Sequence, residues 1–191
     1  LALVVGQSSG IKNVADLVAA AKAKAGQMKY GSAGAGTSTH LVAEKFKNAA
    51  GINVEHIPYK GGPEATADTV AGKVTSWFPP VAIALKGVKD GKLVALGVSG
   101  SKRSSVLPDV PTLIESGFAG LDDTGWWGVW APAGVPPAVA DKLAKDVARA
   151  VAAPDVQEKL AKIGAEPMNM APVEFTKFVR IETESAARIV K

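Results

Sequence analysis

The segment YGSAGAGTSTH, residues 30–40, holds the residues best suited to bind a small anion. Its three glycines let the backbone turn tightly and expose N–H groups that no side chain shields. Apolar residues at helical spacing follow Thr37 and Ser38, and a helix start adds unpaired N–H donors and a positive dipole end. The segment has neither a P-loop lysine nor GxGxxG spacing. We interpret it as a carboxylate cradle; the alternative is a turn that only connects a strand to a helix.

Other chemistry has few suitable residues. The chain has no cysteine, which excludes disulfides and thiolate metal sites, and its two histidines, His40 and His56, argue against a histidine-rich metal centre. Ser32, Ser38 and His40 are residue types that serve as nucleophile and base, but there is no HExxH pattern. An enzyme is therefore the weaker hypothesis, and no cofactor is expected.

The charge does not indicate a nucleic-acid partner. The chain has 22 lysines and arginines against 18 acidic residues, and the lysines are scattered over the polar sides of the predicted helices. Hydrophobic residues make up 47% of its 191 residues, which is ordinary for a soluble protein with a core. The sequence starts at Leu1 without an initiator methionine or a signal peptide, so we expect a processed or incomplete product.

The first two-thirds of the chain alternates strand and helix patterns. Strands are predicted at about residues 1–5, 28–30, 53–59, 74–78 and 93–98. Helices are predicted at about residues 14–24, 37–50, 63–71, 80–91 and 111–117. Such βαβ units build parallel sheets that bind ligands at the carboxyl ends of their strands. This part is therefore predicted to be a complete α/β lobe.

The composition changes at residues 125–137, which hold three of the four tryptophans. Three helical patterns follow at residues 138–152, 155–163 and 173–190, with a short extended piece at 165–168. The last third of the chain therefore has too few predicted strands to form a sheet of its own. We therefore divide the chain into a ligand-binding lobe, 1–123, and the helical part of another lobe, 124–191, which includes a crossover strand.

Three passages occur together in one order: residues 30–62, which contain SAGAGT and PYKG, residues 90–117 with LPDVPT, and residues 126–151 with APAG. On these motifs the chain resembles substrate-binding proteins of tripartite tricarboxylate transporters, the Bordetella uptake gene (Bug) family. The resemblance covers essentially all 191 residues. It implies a two-lobed, periplasmic-binding-protein-like (type II) α/β fold. It also implies a small organic carboxylate as ligand and a membrane permease as partner in the periplasm.

The resemblance assigns several residues to the ligand cleft by position. They are Ser32, Ala33, Gly34, Gly36, Thr37 and Ser38. His40 matches the family's histidine, for which bracing of the helix start is favoured over contact with the ligand. Tyr59, in PYKG, is either near the cleft or an aromatic plug between strand and helix.

One position departs from the family pattern. Members commonly carry an acidic residue just after the phenylalanine of the VTSWF-like strand, where this chain has Pro79. The change argues against an amino-acid ligand and favours a plain or more hydrophobic acid. Pro79 and Phe78 are therefore predicted to line an apolar cleft wall. Because adjacent strand residues point to opposite faces, only one of Trp77 and Phe78 is expected to face the cleft.

A larger departure lies at the front of the chain. Family members carry a first lobe before the strand at residues 1–5, and this sequence has no counterpart. The C-terminal helices belong with that lobe, so we expect their apolar faces to be exposed unless a second copy covers them in a homodimer. The alternative function is a ligand-sensing or interaction module of the same fold, not coupled to transport.

Overall fold

The computed structural model describes residues 1–189, and the chain divides into two compact units. Unit 1 comprises Leu1–Gly125 and unit 2 comprises Trp126–Lys191. The strands assigned in the described residues all belong to unit 1. None of the helices within residues 1–189 has the length and apolar character needed to cross a membrane.

Unit 1 is built on one five-stranded sheet, whose strands fall where the sequence predicts them. They are β1 (Ala2–Gly6), β2 (Lys29–Ser32), β3 (Glu55–Pro58), β4 (Ser76–Trp77) and β5 (Leu93–Val98), in the order β3-β2-β4-β1-β5. Strand β2 pairs in parallel with β3 and β4, whereas β1 is antiparallel to both β4 and β5. The sheet is mixed, and the expectation of a parallel sheet is wrong for β1.

The reversed direction of β1 has a topological reason. A crossover helix gives a parallel pair only when the two strands it joins run in the same direction in the sheet. Strand β1 is followed by α1 (Val14–Ala23) and then β2, yet it does not pair with β2: it lies between β4 and β5, and β4 separates it from β2. Alternation of strand and helix along the sequence does not encode this insertion.

Helices cover both faces of the sheet in unit 1. Besides α1 they are α2 (Ser38–Ala50), α3 (Gly62–Val70) and α4 (Val81–Lys89). The predicted helix ends are confirmed: Asn13 caps α1 by accepting the Asp16 N–H at 2.8 Å, and Gly51 ends α2 with φ 59°. The fully buried β1 contributes Leu3 to the core cluster of α1 and α2 and Val4 to that of α3 and α4.

The helix predicted at residues 111–117 is a single turn. Thr112 and Glu115 exchange the bonds of a capping box: the Thr112 N–H donates to Glu115 Oε2 at 2.7 Å, and the Glu115 N–H donates to Thr112 Oγ1 at 3.0 Å. Gly117 then adopts φ 94°, and the Phe118 N–H bonds back to the Leu113 carbonyl. The start signal is real, but the stop follows within one turn.

The described part of unit 2 has three helices, α5 (Pro137–Ala152), α6 (Pro154–Lys162) and α7 (Pro172–Ile189). Around Trp126 the rings of Phe175 and Phe178 lie 5.8 and 5.2 Å away, and the indole N–H donates to Glu182 Oε2 at 3.2 Å. None of the residues described in these helices is buried.

The strands predicted for unit 2 do not form. Within residues 126–189 no strand is assigned, so the extended piece at 165–168 and the crossover strand are irregular segments. A strand needs a neighbour to accept and donate its backbone hydrogen bonds, and the described part of this unit supplies none. Residue 190, at the end of the last predicted helix, lies outside the described residues.

Tight packing of β1 against α3 predicts a destabilising substitution, Gly6→Ala. A Cβ at Gly6 would meet the Thr69 carbonyl oxygen at 2.4 Å, and backbone cannot easily move away. We expect the free energy of unfolding of unit 1 to fall by roughly 1–3 kcal/mol. Urea titrations read from the NMR cross-peaks of the β1 amides measure it without a contribution from unit 2.

Gly61→Ala is the matched control for this substitution. Gly61 is extended, with φ 174°, and a Cβ there would first meet Pro63 Cδ at 3.7 Å. Its effect should stay below about 1 kcal/mol. Equal effects of the two substitutions would show that the Thr69 contact does not constrain β1.

Candidate functional site

The glycine-rich loop, residues 33–37, joins the end of β2 to the start of α2. Both ends are anchored in the core, because Tyr30 and Phe46 are each 3% exposed. Gly34 and Gly36 have φ values of 133° and 79°, in the region that side chains disfavour. The sequence pattern of β strand, glycine loop and helix is therefore confirmed, and two of its glycines are required by the backbone.

The loop satisfies several of its own N–H groups. The Ala33 N–H donates to Thr39 Oγ1 at 2.9 Å, and the Gly34 N–H donates to Ser32 Oγ at 3.1 Å. The Gly36 N–H donates to His40 Nδ1 at 3.1 Å. These bonds hold the loop in one shape, and they also remove three donors from those that an anion could use.

The start of α2 has no such internal partner. Thr37 stands at the N-cap position, but its hydroxyl points back into the loop and donates to the Gly34 carbonyl at 2.7 Å. Among the described residues no side chain caps this helix. The first-turn N–H groups of Ser38 and Thr39 are therefore left without an intrahelical acceptor, and Ser38 is exposed. An external anion can supply the missing acceptor.

Three aromatic rings stack beside the loop. The rings of His40 and His56 lie 4.0 Å apart, and the Tyr30 ring lies 4.9 Å from His56 and 6.4 Å from His40. Ser32, which is fully buried, links its Oγ to His56 Nε2 at 2.7 Å. The position of His40 agrees with the brace interpretation, because its Nδ1 accepts a loop N–H.

Glu44 holds the outer edge of the stack. It accepts a short hydrogen bond from the Tyr30 hydroxyl, pairs with Lys47 Nζ at 2.5 Å and lies 4.0 Å from His40 Nε2. Burial acts to raise the pKa of Glu44, but the bonds from Lys47 and Tyr30 outweigh it and leave the pKa lowered. Burial and the bond to Glu44 raise the pKa of Tyr30. Glu44 is therefore ionised near neutral pH.

Tyr59 has the geometry of the aromatic plug. Its hydroxyl donates to Asp68 Oδ2 at 2.9 Å, and its ring packs against the second core cluster beneath Gly31. Burial and the bond to Asp68 raise the pKa of Tyr59 to about 12. Only its backbone meets the end of β2, where its N–H donates to the Ser32 carbonyl at 3.0 Å.

Phe78 and Pro79 are core residues rather than an open wall. Phe78 is 2% exposed and its ring lies edge-on to Phe46 at 5.9 Å, while Trp77 points to the opposite face and is also buried. Pro79 is buried too, and its carbonyl accepts the Ala2 N–H at 2.9 Å. The sheet has helices on both faces, so the alternation of Trp77 and Phe78 leaves neither side chain accessible.

Sequence reasoning missed His56 and Glu44 as parts of the site. His56 lies 24 residues beyond Ser32 and meets it only because β3 pairs with β2. Glu44 carried a usable signal, since it follows His40 by four residues and so shares its helix face.

A second serine motif was also missed. Residues 6–10, GQSSG, have the GxSxG spacing of a nucleophile elbow. Ser8 lies there in an exposed 3-10 turn after β1. In the described part of the chain, the hydrogen bonds recorded for the two histidine rings go to Ser32 and Gly36 instead. Neither histidine is therefore paired with Ser8 as a base.

Within residues 1–189 no group of three His, Asp or Glu residues is placed to hold a metal ion.

This architecture is that of a known class of receptor. The family model for the tripartite tricarboxylate transporter family receptor, TctC, matches residues 1–191. The chain belongs to this family, and the resemblance to the Bug-type receptors is confirmed. A curated relative, the UPF0065 protein in the tcbD-tcbE intergenic region of Pseudomonas sp. (strain P51), is 34% identical over 189 residues. The match covers 98% of this chain but 56% of that relative, so the chain spans little more than half of its length.

Solved structures confirm the α/β periplasmic-binding-protein-like fold. The structure of R. palustris Rpa4515 with adipate has a TM-score of 0.91 at 29% identity and matches 98% of this chain and 64% of that one. The periplasmic binding protein BugD has a TM-score of 0.90 at 30% identity, with 98% and 64% covered. MatC from Rhodopseudomonas palustris, with bound malate, has a TM-score of 0.90 at 25% identity, with 100% and 66% covered.

The stacked rings predict that unit 1 loses stability in acid. Burial lowers the pKa of His56, and His40 and Lys47 act in the same direction against the opposing effect of Glu44. Below a pH of about 6.5 the unfolded chain therefore binds a proton at residue 56 that the folded chain resists. We expect the free energy of unfolding to be lower at pH 5.5 than at pH 7.5 in urea titrations read from the β1 amides.

His56→Gln is the control for this pH effect. Glutamine places a polar atom near the position of Nε2 and does not titrate, so the difference between the two pH values should shrink. An unchanged difference would assign the acid sensitivity to other groups.

Proposed function

We propose that this chain is part of a periplasmic receptor that captures a small organic carboxylate at the start of α2. The observation that carries the proposal is the uncapped helix, where the Thr37 hydroxyl turns away and Ser38 is exposed. The loop bonds fix the backbone before any ligand arrives, so binding does not have to order it. Relatives of the same fold that hold adipate and malate support a carboxylate as the ligand.

Two interactions would stabilise a carboxylate bound at the start of α2. A negative group at a helix start gains roughly 0.3–1 kcal/mol from the dipole, and a hydrogen bond to a charged group roughly 1.5–3 kcal/mol. One carboxylate that accepts hydrogen bonds from the Ser38 and Thr39 N–H groups and from the Ser38 hydroxyl would gain both contributions. The second carboxylate of a diacid needs another binding group. We propose that it is supplied by the region of the relatives' length that this chain does not cover.

The loop also favours an acid without an amino group. Residues 32–40 contain no acidic side chain, and Glu44, four residues after His40, is already paired with Lys47 and Tyr30. Nothing in the loop therefore offers a free carboxylate to an ammonium group. We propose a plain dicarboxylate of the adipate or malate type, bound without catalysis.

We further propose that unit 2 is the helical part of the second lobe and that the receptor delivers its ligand to a membrane permease. The exposed side chains of Trp127 and Val173, which are 76% and 68% exposed, support a larger assembly around unit 2. The alternative is that a second copy of the chain covers these exposed side chains. Sedimentation of the purified chain at rising concentration tests this alternative, because self-association increases with the concentration of the chain.

The carboxylate site is tested by Ser38→Asp. An aspartate there supplies the missing negative charge to the first turn of α2 and competes with the ligand for the same N–H groups. Adipate affinity, measured by titration calorimetry, should fall by at least about tenfold, the loss of one charged hydrogen bond. The melting temperature should be unchanged or higher.

Two variants control for shape and for net charge. Ser38→Asn has the size of aspartate without its charge, and Ser8→Asp adds the same charge in the exposed turn after β1. Both should bind adipate more tightly than Ser38→Asp does. Equal losses in Ser38→Asp and Ser8→Asp would assign the effect to overall charge, and full affinity in Ser38→Asp would remove the site from α2.

A further inference from the structure

The two histidines are linked to the glycine-rich loop in different ways, His40 directly and His56 through Ser32. Gly36 donates its N–H directly to His40 Nδ1 at 3.1 Å. Gly34 donates to Ser32 Oγ at 3.1 Å, and that oxygen is 2.7 Å from His56 Nε2. The His40 and His56 rings are stacked 4.0 Å apart at an interplanar angle of 16°. Both left-handed glycines of the loop are thus tied to one pair of stacked rings.

We propose that His40 and His56 are positioning residues of the loop, and that protonation of His40 at Nδ1 releases Gly36 and changes the loop's shape. An unprotonated Nδ1 accepts the Gly36 N–H, whereas a protonated Nδ1 is itself a donor and repels it. The inference rests on the proposed function in one respect, because it takes this loop as the anion site. The link between ring and loop stands without a ligand.

The surroundings of His40 select the tautomer that the loop requires. When Nδ1 accepts a bond, a neutral ring carries its proton on Nε2. That atom lies 4.0 Å from Glu44 Oε1, an acceptor held ionised by Lys47 and Tyr30. The carboxylate therefore favours the proton on Nε2 and leaves Nδ1 free for Gly36.

The charged and titratable groups around His40 come from three elements. Strand β2 presents Tyr30, strand β3 presents His56, and α2 itself presents Glu44 and Lys47. Glu44 attracts a proton to the stack, while Lys47 and the neighbouring ring oppose a second one. Two imidazolium rings 4.0 Å apart repel each other, so the stack takes up one proton more readily than two.

The shape of the loop is a better readout than affinity alone. A protonated His40 would distort the donors of the loop, but its positive charge would also attract an anion. These effects have opposite signs, so acid can leave the affinity of wild type nearly unchanged. When no ligand is present, the Gly36 amide signal reports the change in the loop and not the attraction of an anion.

The deciding experiment is an NMR titration of the ligand-free chain from about pH 8 to pH 5, the range in which histidines change charge. We expect the Gly36 amide signal to shift with the same midpoint as the His40 ring. In His40→Asn the side-chain oxygen takes the place of Nδ1 and cannot be protonated, so this shift should disappear. A Gly36 amide that is insensitive to pH, or that shifts equally in His40→Asn, would overturn the proposal.

Adipate binding at pH 7.5 separates this proposal from the carboxylate site. His40→Asn should bind within about threefold of wild type, and His40→Leu, which has no acceptor, at least about tenfold more weakly. If wild type binds no adipate, the proposed function fails while the Gly36 titration still decides the positioning role. If wild type and His40→Leu bind equally well, the positioning role fails while the site remains.

Discussion

The structure around the candidate site depends on one requirement, that each backbone N–H of a tight glycine loop find an acceptor. Within the loop three of the acceptors are side-chain atoms, Ser32 Oγ, Thr39 Oγ1 and His40 Nδ1, and the Gly34 carbonyl accepts the Thr37 N–H at 3.3 Å. The requirement explains why the polar residues Ser32 and Thr39 are buried beside an apolar core. It also defines the candidate binding surface, because within residues 1–189 the Ser38 and Thr39 N–H groups at the start of α2 find no acceptor.

The rigidity of these donors comes from the core of unit 1. Strand β2 enters the loop with Tyr30 buried, and α2 leaves it with Val42 and Phe46 buried against the same cluster. A loop anchored at both ends and bonded across its middle loses little further freedom when an anion binds. The described helices of unit 2 contain no buried residue, so unit 1 carries the packing on which the candidate site relies.

The element types of unit 1 were predictable because hydrophobic period and caps are local signals, as Asn13 and Gly51 show. The direction of β1 was not, since its neighbours β4 and β5 come from distant parts of the chain. The helix predicted at residues 111–117 was wrong for a different reason, because the chain forms only a single turn that ends at Gly117. There, a genuine capping box was followed by too few residues to propagate a helix.

The candidate site divides in the same way. The loop, its glycines and the exposed Ser38 follow from local sequence, but the stack of His40 on His56 requires β3 to pair with β2. For Phe78 the alternation with Trp77 was predicted correctly, but its place on an open cleft wall was not. Helices cover both faces of the sheet and bury both side chains. Long-range pairing therefore decides which polar residues meet and which apolar ones are reachable. In this chain it joins two histidines, 16 residues apart in sequence, to a single loop.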